Sequence, residues 1–214
     1  MTMQETLVSA LAAGYERIVA WADILDRINV YPVPDGDTGR NLVMTLSGLR
    51  NPWTDKESLS REILLTARGN SGNIAAGFLA GFLRCEDLSS MPAAVASGRD
   101  LAYKAVPDPR PGTMLSLFDA FAESLKRNPP EQTGAWVQAV VQDLEASVKA
   151  TTQQLEELKE AGVVDAGALG MLVFCDPLLN LLAGREARGS GFAEEVKSFF
   201  SLSGTWKEKK VDGY

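Results

Sequence analysis

The sequence contains no histidine. This absence excludes Ser-His-Asp hydrolysis, Cys-His nucleophilic catalysis, phosphohistidine relays and zinc sites with histidine ligands. Any proton transfer at this chain must therefore use carboxylates, lysine, tyrosine or water, or be supplied by another chain.

Cysteine is almost as scarce, with only Cys85 and Cys175, far apart in the chain. They are too few for a disulfide framework or a zinc site, so we expect both to be core thiols. The formal net charge of −7 argues against a nucleic-acid or anionic membrane surface as the main partner. No apolar run is long enough to span a bilayer, and no N-terminal segment resembles a signal-peptide core. We therefore expect a cytoplasmic protein without a transmembrane segment or a nucleic-acid partner.

The chain does contain a series of amphipathic helical patterns. Apolar residues recur at three- and four-residue spacing, and glycine or proline marks the turns between the segments. No stretch alternates over the length of a strand. These patterns predict an all-α fold of about eight antiparallel amphipathic helices that form a barrel or bundle. The helices are predicted at about 2–28, 38–46, 58–66, 74–83, 92–106, 113–125 and 133–161, with a last helix that ends at 182.

Some of these segments contain interruptions. A break is expected near 150–152, and Pro177 is expected to kink or split the last helix. Residues 69–72 resemble a glycine-rich loop that opens a helix. Taken alone, these glycines favour a tight helix–helix contact, whereas beside a metal loop they suit a phosphate. Beyond residue 185, glycine, serine and a terminal charge run are typical of a linker. We therefore predict a helical domain over 1–185 and a linker or tail over 186–214.

The most informative stretch is the loop at 29–38. Asp35 and Asp37 flank Gly36, so the backbone can fold to bring both carboxylates to one point. Asn29 lies just upstream, and together these oxygen ligands suit Mg²⁺. A helix is predicted to begin at about Thr38, and its free amides favour an anion beside the metal. Other glycine or proline loops open helices near 69–72, 110–113 and 165–168. In a bundle these loops could gather at one end and form a site for polyphosphate.

Other interpretations of this loop are possible. Asp-Gly dipeptides mark turns far more often than metal sites. A P-loop is excluded because no Gly-x-x-x-x-Gly-Lys-Ser/Thr run exists. An EF-hand beginning at Asp35 would need glycine and glutamate where Arg40 and Leu46 stand. An aspartyl phosphatase motif would need threonine or valine at Gly39, and it would follow a strand that the sequence does not predict.

Four segments together resemble a known family. They are residues 29–41 (NVYPVPDGDTGRN), 67–72 (ARGNSG), 111–115 (PGTML) and 162–167 (GVVDAG). They resemble the nucleotide-binding domain, called DAK2 or DhaL-like, that is shared by the L subunit of dihydroxyacetone kinase and bacterial fatty acid kinases. The resemblance covers about residues 1–185, with the motifs in the family's order. Thr38 favours the fatty acid kinase branch, because the L subunit typically has histidine at that position.

The resemblance implies an eight-helix barrel that holds ATP or ADP at one mouth through two Mg²⁺ ions. It implies Asp35 and Asp37 as metal ligands with Asn29 beside them, and no catalytic residue on this chain beyond the metal site. The implied nucleotide-binding residues are Thr38, Gly39, Asn41, Gly69, Asn70, Ser71, Gly72, Thr113, Met114, Asp165 and Gly167. Among these, Asp165 and Gly167 would belong to a loop that closes over the nucleotide.

In this family a different subunit or domain holds the acceptor. The resemblance therefore implies the nucleotide-binding part of a glycerone kinase-like or fatty acid kinase-like enzyme, active only with a partner. That partner would bind a fatty acid or dihydroxyacetone, and the tail would lead into a further domain. A homodimer is left open. The alternatives are a non-catalytic, nucleotide-sensing regulatory subunit that uses the same pocket, and a helical scaffold with incidental Asp-Gly turns.

Overall fold

The computed structural model describes residues 2–186, and over this range the protein is entirely helical. The predicted all-α fold is confirmed, with nine α-helices in the described part of the chain. The predicted tail falls almost wholly on residues 187–214, outside the described residues. The helices are α1 (Met3–Arg27), α2 (Thr38–Thr45), α3 (Lys56–Thr66), α4 (Gly69–Phe82), α5 (Met91–Lys104), α6 (Met114–Arg127), α7 (Gly134–Gln154), α8 (Glu156–Ala161) and α9 (Ala166–Leu182), with a 3₁₀ turn at Ser47–Arg50.

Helix α9 is the centre of the bundle. Nearly all of its residues are buried, and it packs against α1, α2, α6 and α7. A helix that is apolar on every side has to be enclosed by others, whereas the amphipathic α1 turns only one stripe inward. The rings of Phe78, Phe82, Phe118 and Phe121 fill the space between α4 and α6, and the Phe78 and Phe118 rings stack with centroids 4.0 Å apart.

Several predicted helix boundaries were wrong. Helix α3 begins at Lys56 because the Asp55 carboxylate accepts the amides of Glu57 and Ser58 and so caps the helix earlier than expected. Helix α4 begins at Gly69, so residues 69–72 form its first turn and not a loop. Pro177 lies inside α9 without splitting it, since burial on all sides outweighs the loss of one amide.

The break in the long seventh segment lies at Leu155, which is extended, and not at 150–152. Thr151 and Thr152, where the break was expected, remain helical, and their hydroxyls donate hydrogen bonds to backbone carbonyls. Thr151 donates to the Val148 carbonyl at 2.7 Å, and Thr152 donates to the Val163 carbonyl at 2.9 Å. The first bond lies within α7, and the second ties the end of α7 to the segment that leads into α9.

Candidate functional site

A cavity of about 490 Å³ opens at one end of the bundle. Residues at the N-termini of four helices, α2, α4, α6 and α9, lie on its wall. Each N-terminus carries a partial positive charge, so together they favour an anionic ligand. Several of their amides already donate to protein side chains, those of Gly39 and Arg40 to Asp26 and that of Ala168 to Asp165. The lining residues are Asn29, Tyr31, Pro32, Val33, Asp35, Asp37, Thr38, Asn41, Gly69, Asn70, Ser71, Ile74, Val106, Pro107, Asp108, Arg110, Thr113, Met114, Leu115, Asp165 and Gly167.

The α1–α2 loop brings the two aspartates to this cavity. Gly36 has φ +63°, a left-handed conformation that glycine adopts without strain, and the Tyr31–Pro32 peptide is cis. The buried Asn29 side chain organises the loop. Its Nδ2 donates to Asp35 Oδ1 at 2.7 Å and to the Val33 carbonyl at 3.2 Å, and its Oδ1 accepts the Thr38 hydroxyl at 2.6 Å. Asn29 thus links the Asp35 carboxylate to the first residue of α2.

The two carboxylates affect each other electrostatically. Burial and the nearby Asp37 carboxylate raise the pKa of Asp35, although the Asn29 amide opposes this. Two hard oxygen donors with mutual repulsion form a donor set that fits Mg²⁺. Among the described residues, no group of three or more acidic, histidine or cysteine side chains could hold a metal. A bound Mg²⁺ would therefore complete its shell with ligand oxygens and water, as Mg²⁺ commonly does.

Another part of the wall is formed by α2 and the first turn of α4. Gly69 has φ +62°, and a Cβ at this position would lie 2.5 Å from Asn41 Nδ2. The left-handed φ favours glycine at this position, and an added Cβ would also force the Asn41 side chain to move. Asn70 and Ser71 follow Gly69 on the cavity surface.

Two predicted nucleotide-binding residues, Gly39 and Gly72, do not line the cavity. A Cβ at Gly39 would overlap the Ala22 carbonyl oxygen of α1, and a Cβ at Gly72 would overlap the Thr45 hydroxyl of α2. The Gly39 amide donates to Asp26 Oδ1 at 2.7 Å and so is already used within the protein. Both glycines serve close helix packing in this structure.

The floor of the site joins α6 and α9 through Asp165. This side chain is 6% exposed, caps α9 by accepting the Ala168 amide at 2.7 Å, and also interacts with the Met114 and Gly167 amides. The Asp165 amide donates to Thr151 Oγ1 at 2.9 Å. Burial raises the pKa of Asp165 to about 6, although the amides oppose that shift. Gly167 lies close to Met114, since an added Cβ would be 2.8 Å from Met114 Cε.

The structure adds lining residues that the sequence analysis did not assign. Tyr31 and Val33 flank Pro32 in the aspartate loop, and Asp108 and Arg110 lie in the proline-rich α5–α6 loop. An apolar group completes the wall. It consists of Ile74, Val106, Pro107 and Leu115. The sequence predicted that the α5–α6 loop lies at this end, but an apolar side chain in a helix or a loop gives no signal that separates cavity from core.

The domain model described as "DAK2 domain" matches residues 32–180. The chain belongs to the DAK2 domain family. The resemblance found in the four sequence segments is therefore confirmed. The matched range includes every lining residue except Asn29 and Tyr31.

The relatives are longer proteins. Protein YloV of Bacillus subtilis is 35% identical over 196 residues, which cover 84% of this chain and 35% of the relative. An uncharacterized protein of Staphylococcus haemolyticus is 34% identical over 192 residues, which cover 80% of this chain and 34% of the relative. This DAK2 chain thus spans about a third of the length of the curated relatives it matches.

A solved structure shares the fold. It is the dihydroxyacetone kinase of C. freundii in complex with AMP-PNP and Mg²⁺, with a TM-score of 0.59 and 16% identity, and the match covers 83% of this chain and 33% of that one. At this identity the likeness shows the fold alone. In the part of the chain that the structure describes, no helix has both the length and the apolar character needed to cross a membrane.

Proposed function

We propose that the cavity binds ATP or ADP with Mg²⁺ and that the domain supplies the γ-phosphoryl group to an acceptor on a partner domain or subunit. The observation that carries this proposal is the convergence of Asp35 and Asp37 with four helix N-termini around one cavity. Paired carboxylates suit Mg²⁺, and helix N-termini suit phosphate. The C. freundii kinase of the same fold was solved with an ATP analogue and Mg²⁺, which supports the same ligand class here.

The lining residues would have different roles in binding the nucleotide and the metal. Asp35 and Asp37 would hold the metal, with Asn29 fixing the orientation of Asp35. Thr38, Asn41, Gly69, Asn70 and Ser71 lie on the α2 and α4 side, where amides and polar side chains suit phosphates. Thr113, Met114, Asp165 and Gly167 lie on the α6 and α9 side and would contact the rest of the nucleotide. Bound Mg²⁺ would neutralise part of the phosphate charge.

The reaction would be an in-line transfer. The bond between the γ-phosphorus and the bridging oxygen of ADP breaks as a bond to an acceptor carboxylate or hydroxyl oxygen forms. A carboxylate acceptor, such as a fatty acid, has no proton to lose, whereas a hydroxyl acceptor must release one to a base on the partner or to water. The absence of histidine is compatible with this scheme, because positioning and charge neutralisation supply most of the catalysis.

We expect Asp37→Ala to abolish Mg²⁺-dependent ATP binding measured by calorimetry. The Asp37 side chain makes no capping hydrogen bond to α2, so its removal should leave helical circular dichroism intact. Glu131→Ala, which removes an exposed carboxylate from the α6–α7 loop, serves as the matched control and should bind ATP normally. Unchanged ATP binding in Asp37→Ala would contradict the assignment.

Phosphoryl transfer to an acceptor is tested in a second assay. Full chain, Mg-ATP and a fatty-acid-binding or dihydroxyacetone-binding partner protein should yield ADP and a phosphorylated acceptor. ATP binding without turnover in that mixture would favour the alternative role, a nucleotide-sensing regulatory subunit.

A further inference from the structure

Arg110 is the sole lysine or arginine among the described residues that line the cavity. The same wall carries four carboxylates, those of Asp35, Asp37, Asp108 and Asp165. Two of these are assigned to the metal in the proposed function, and Asp165 is engaged by backbone amides. A cation among these carboxylates is therefore well placed to meet an incoming anion.

The backbone of Arg110 is held firmly. Pro109 and Pro111 on either side fix their own φ angles, which restricts the loop. The Thr113 hydroxyl donates to the Arg110 carbonyl at 2.8 Å, and the Gly112 amide donates to Ser116 Oγ at 2.9 Å. The loop is thus fastened to the first turn of α6, so the arginine has a defined position at the mouth.

The side chain, in contrast, is held weakly. Its Nε and Nη2 contact Asp108 Oδ2 at 2.9 and 2.8 Å, and the two side chains are 58% and 70% exposed. Ion pairs this exposed contribute little to stability, so a phosphate can replace the carboxylate at little cost. Burial raises the pKa of Tyr31, and the positive charge of Arg110 partly opposes that rise.

We propose that Arg110 binds a phosphate oxygen of the nucleotide and exchanges Asp108 for it when the cavity fills. This inference rests on the proposed nucleotide function. Guanidinium has five donors in a planar fork that matches phosphate geometry. Asp108 holds that fork at the mouth until the phosphate arrives, so Asp108 is a positioning residue.

The test compares Arg110→Ala with the unaltered chain by calorimetry. Loss of a charge-assisted hydrogen bond to phosphate should lower Mg-ATP affinity about 10- to 100-fold. Adenosine, which has no phosphate, should bind both proteins equally. Arg84→Ala is the matched control, because Arg84 is an exposed arginine beyond the far end of α4 that does not line the cavity.

A double-mutant cycle tests the exchange itself. Asp108→Asn should strengthen Mg-ATP binding in the unaltered background, because it frees the guanidinium. The gain should largely disappear in the Arg110→Ala background, and a full gain there would contradict the positioning role. If Arg110→Ala lost Mg-ATP and adenosine affinity equally, the arginine would contact the adenosine part of the nucleotide and the proposal would be wrong. Unchanged Mg-ATP affinity in Arg110→Ala would also contradict it. Failure of the unaltered chain to bind Mg-ATP would instead refute the proposed function.

Discussion

Replacing Asp165 by asparagine should change how stability depends on pH. The pKa of this carboxyl is raised from 3.8 to about 6 in the folded state, so folding favours its protonated form. The stability from this preference is fully present below about pH 3.8 and is lost as pH rises through about 6. The difference between the two pKa values corresponds to about 3 kcal/mol, of which about 2 kcal/mol falls between pH 4.5 and 7.5.

Asparagine retains an oxygen that can accept the Ala168 amide but carries no charge at any pH. The assay is guanidinium unfolding of both proteins at several values between pH 4.5 and 7.5, without metal or nucleotide. Relative to the unaltered chain, Asp165→Asn should gain about 2 kcal/mol across that range. Asp165→Ser, a second neutral cap, should follow the same pH trend. Parallel pH profiles for Asp165→Asn and the unaltered chain would refute the reasoning.

Two further substitutions test packing and capping. Gly39→Ala should lower the free energy of unfolding by about 1–3 kcal/mol, because its Cβ would overlap the Ala22 carbonyl. Gly48→Ala is the control, since its Cβ would meet mainly movable side chains at 3.1 Å or more. A stable Gly39→Ala protein would show that α1 and α2 can separate at no cost. Thr133→Ala should cost about 1 kcal/mol in thermal unfolding, because its hydroxyl accepts the Trp136 amide at 3.1 Å, yet nucleotide affinity should not change. A change in affinity would mean that the far end of α7 influences the site.

Much of the fold could be predicted from local signals. The stripes of α1 and α6, the prolines before α2 and α6, and the Asp35-Gly36-Asp37 turn all act over a few neighbouring residues. A local pattern predicts where a helix begins and which face is apolar, because these depend on spacing and capping. The helical class and the family resemblance followed from these signals and were confirmed.

Features set by distant contacts could not be predicted. The helix breaks at Leu155 and not at the expected position, and the Thr152 hydroxyl bonds to the Val163 carbonyl on the other side of α8. Gly39 and Gly72 have the same appearance in the sequence as Gly69, but only the fold shows which neighbour each missing Cβ avoids. The position of Arg110 at the cavity likewise depends on how the α5–α6 loop is fastened to α6. The roles of the lining residues in ligand binding remain predictions.

The four helix N-termini around the cavity belong to segments spread from residue 38 to residue 167. A partly folded chain that lacks any one of these helices therefore has an incomplete cavity. Ligand binding should then report on the folding of the whole domain and not of one segment. A ligand at 100 times its Kd that binds only the complete fold would add about 2.7 kcal/mol to global stability. Hydrogen exchange should accordingly slow across α2, α4, α6 and α9 together when the cavity is filled.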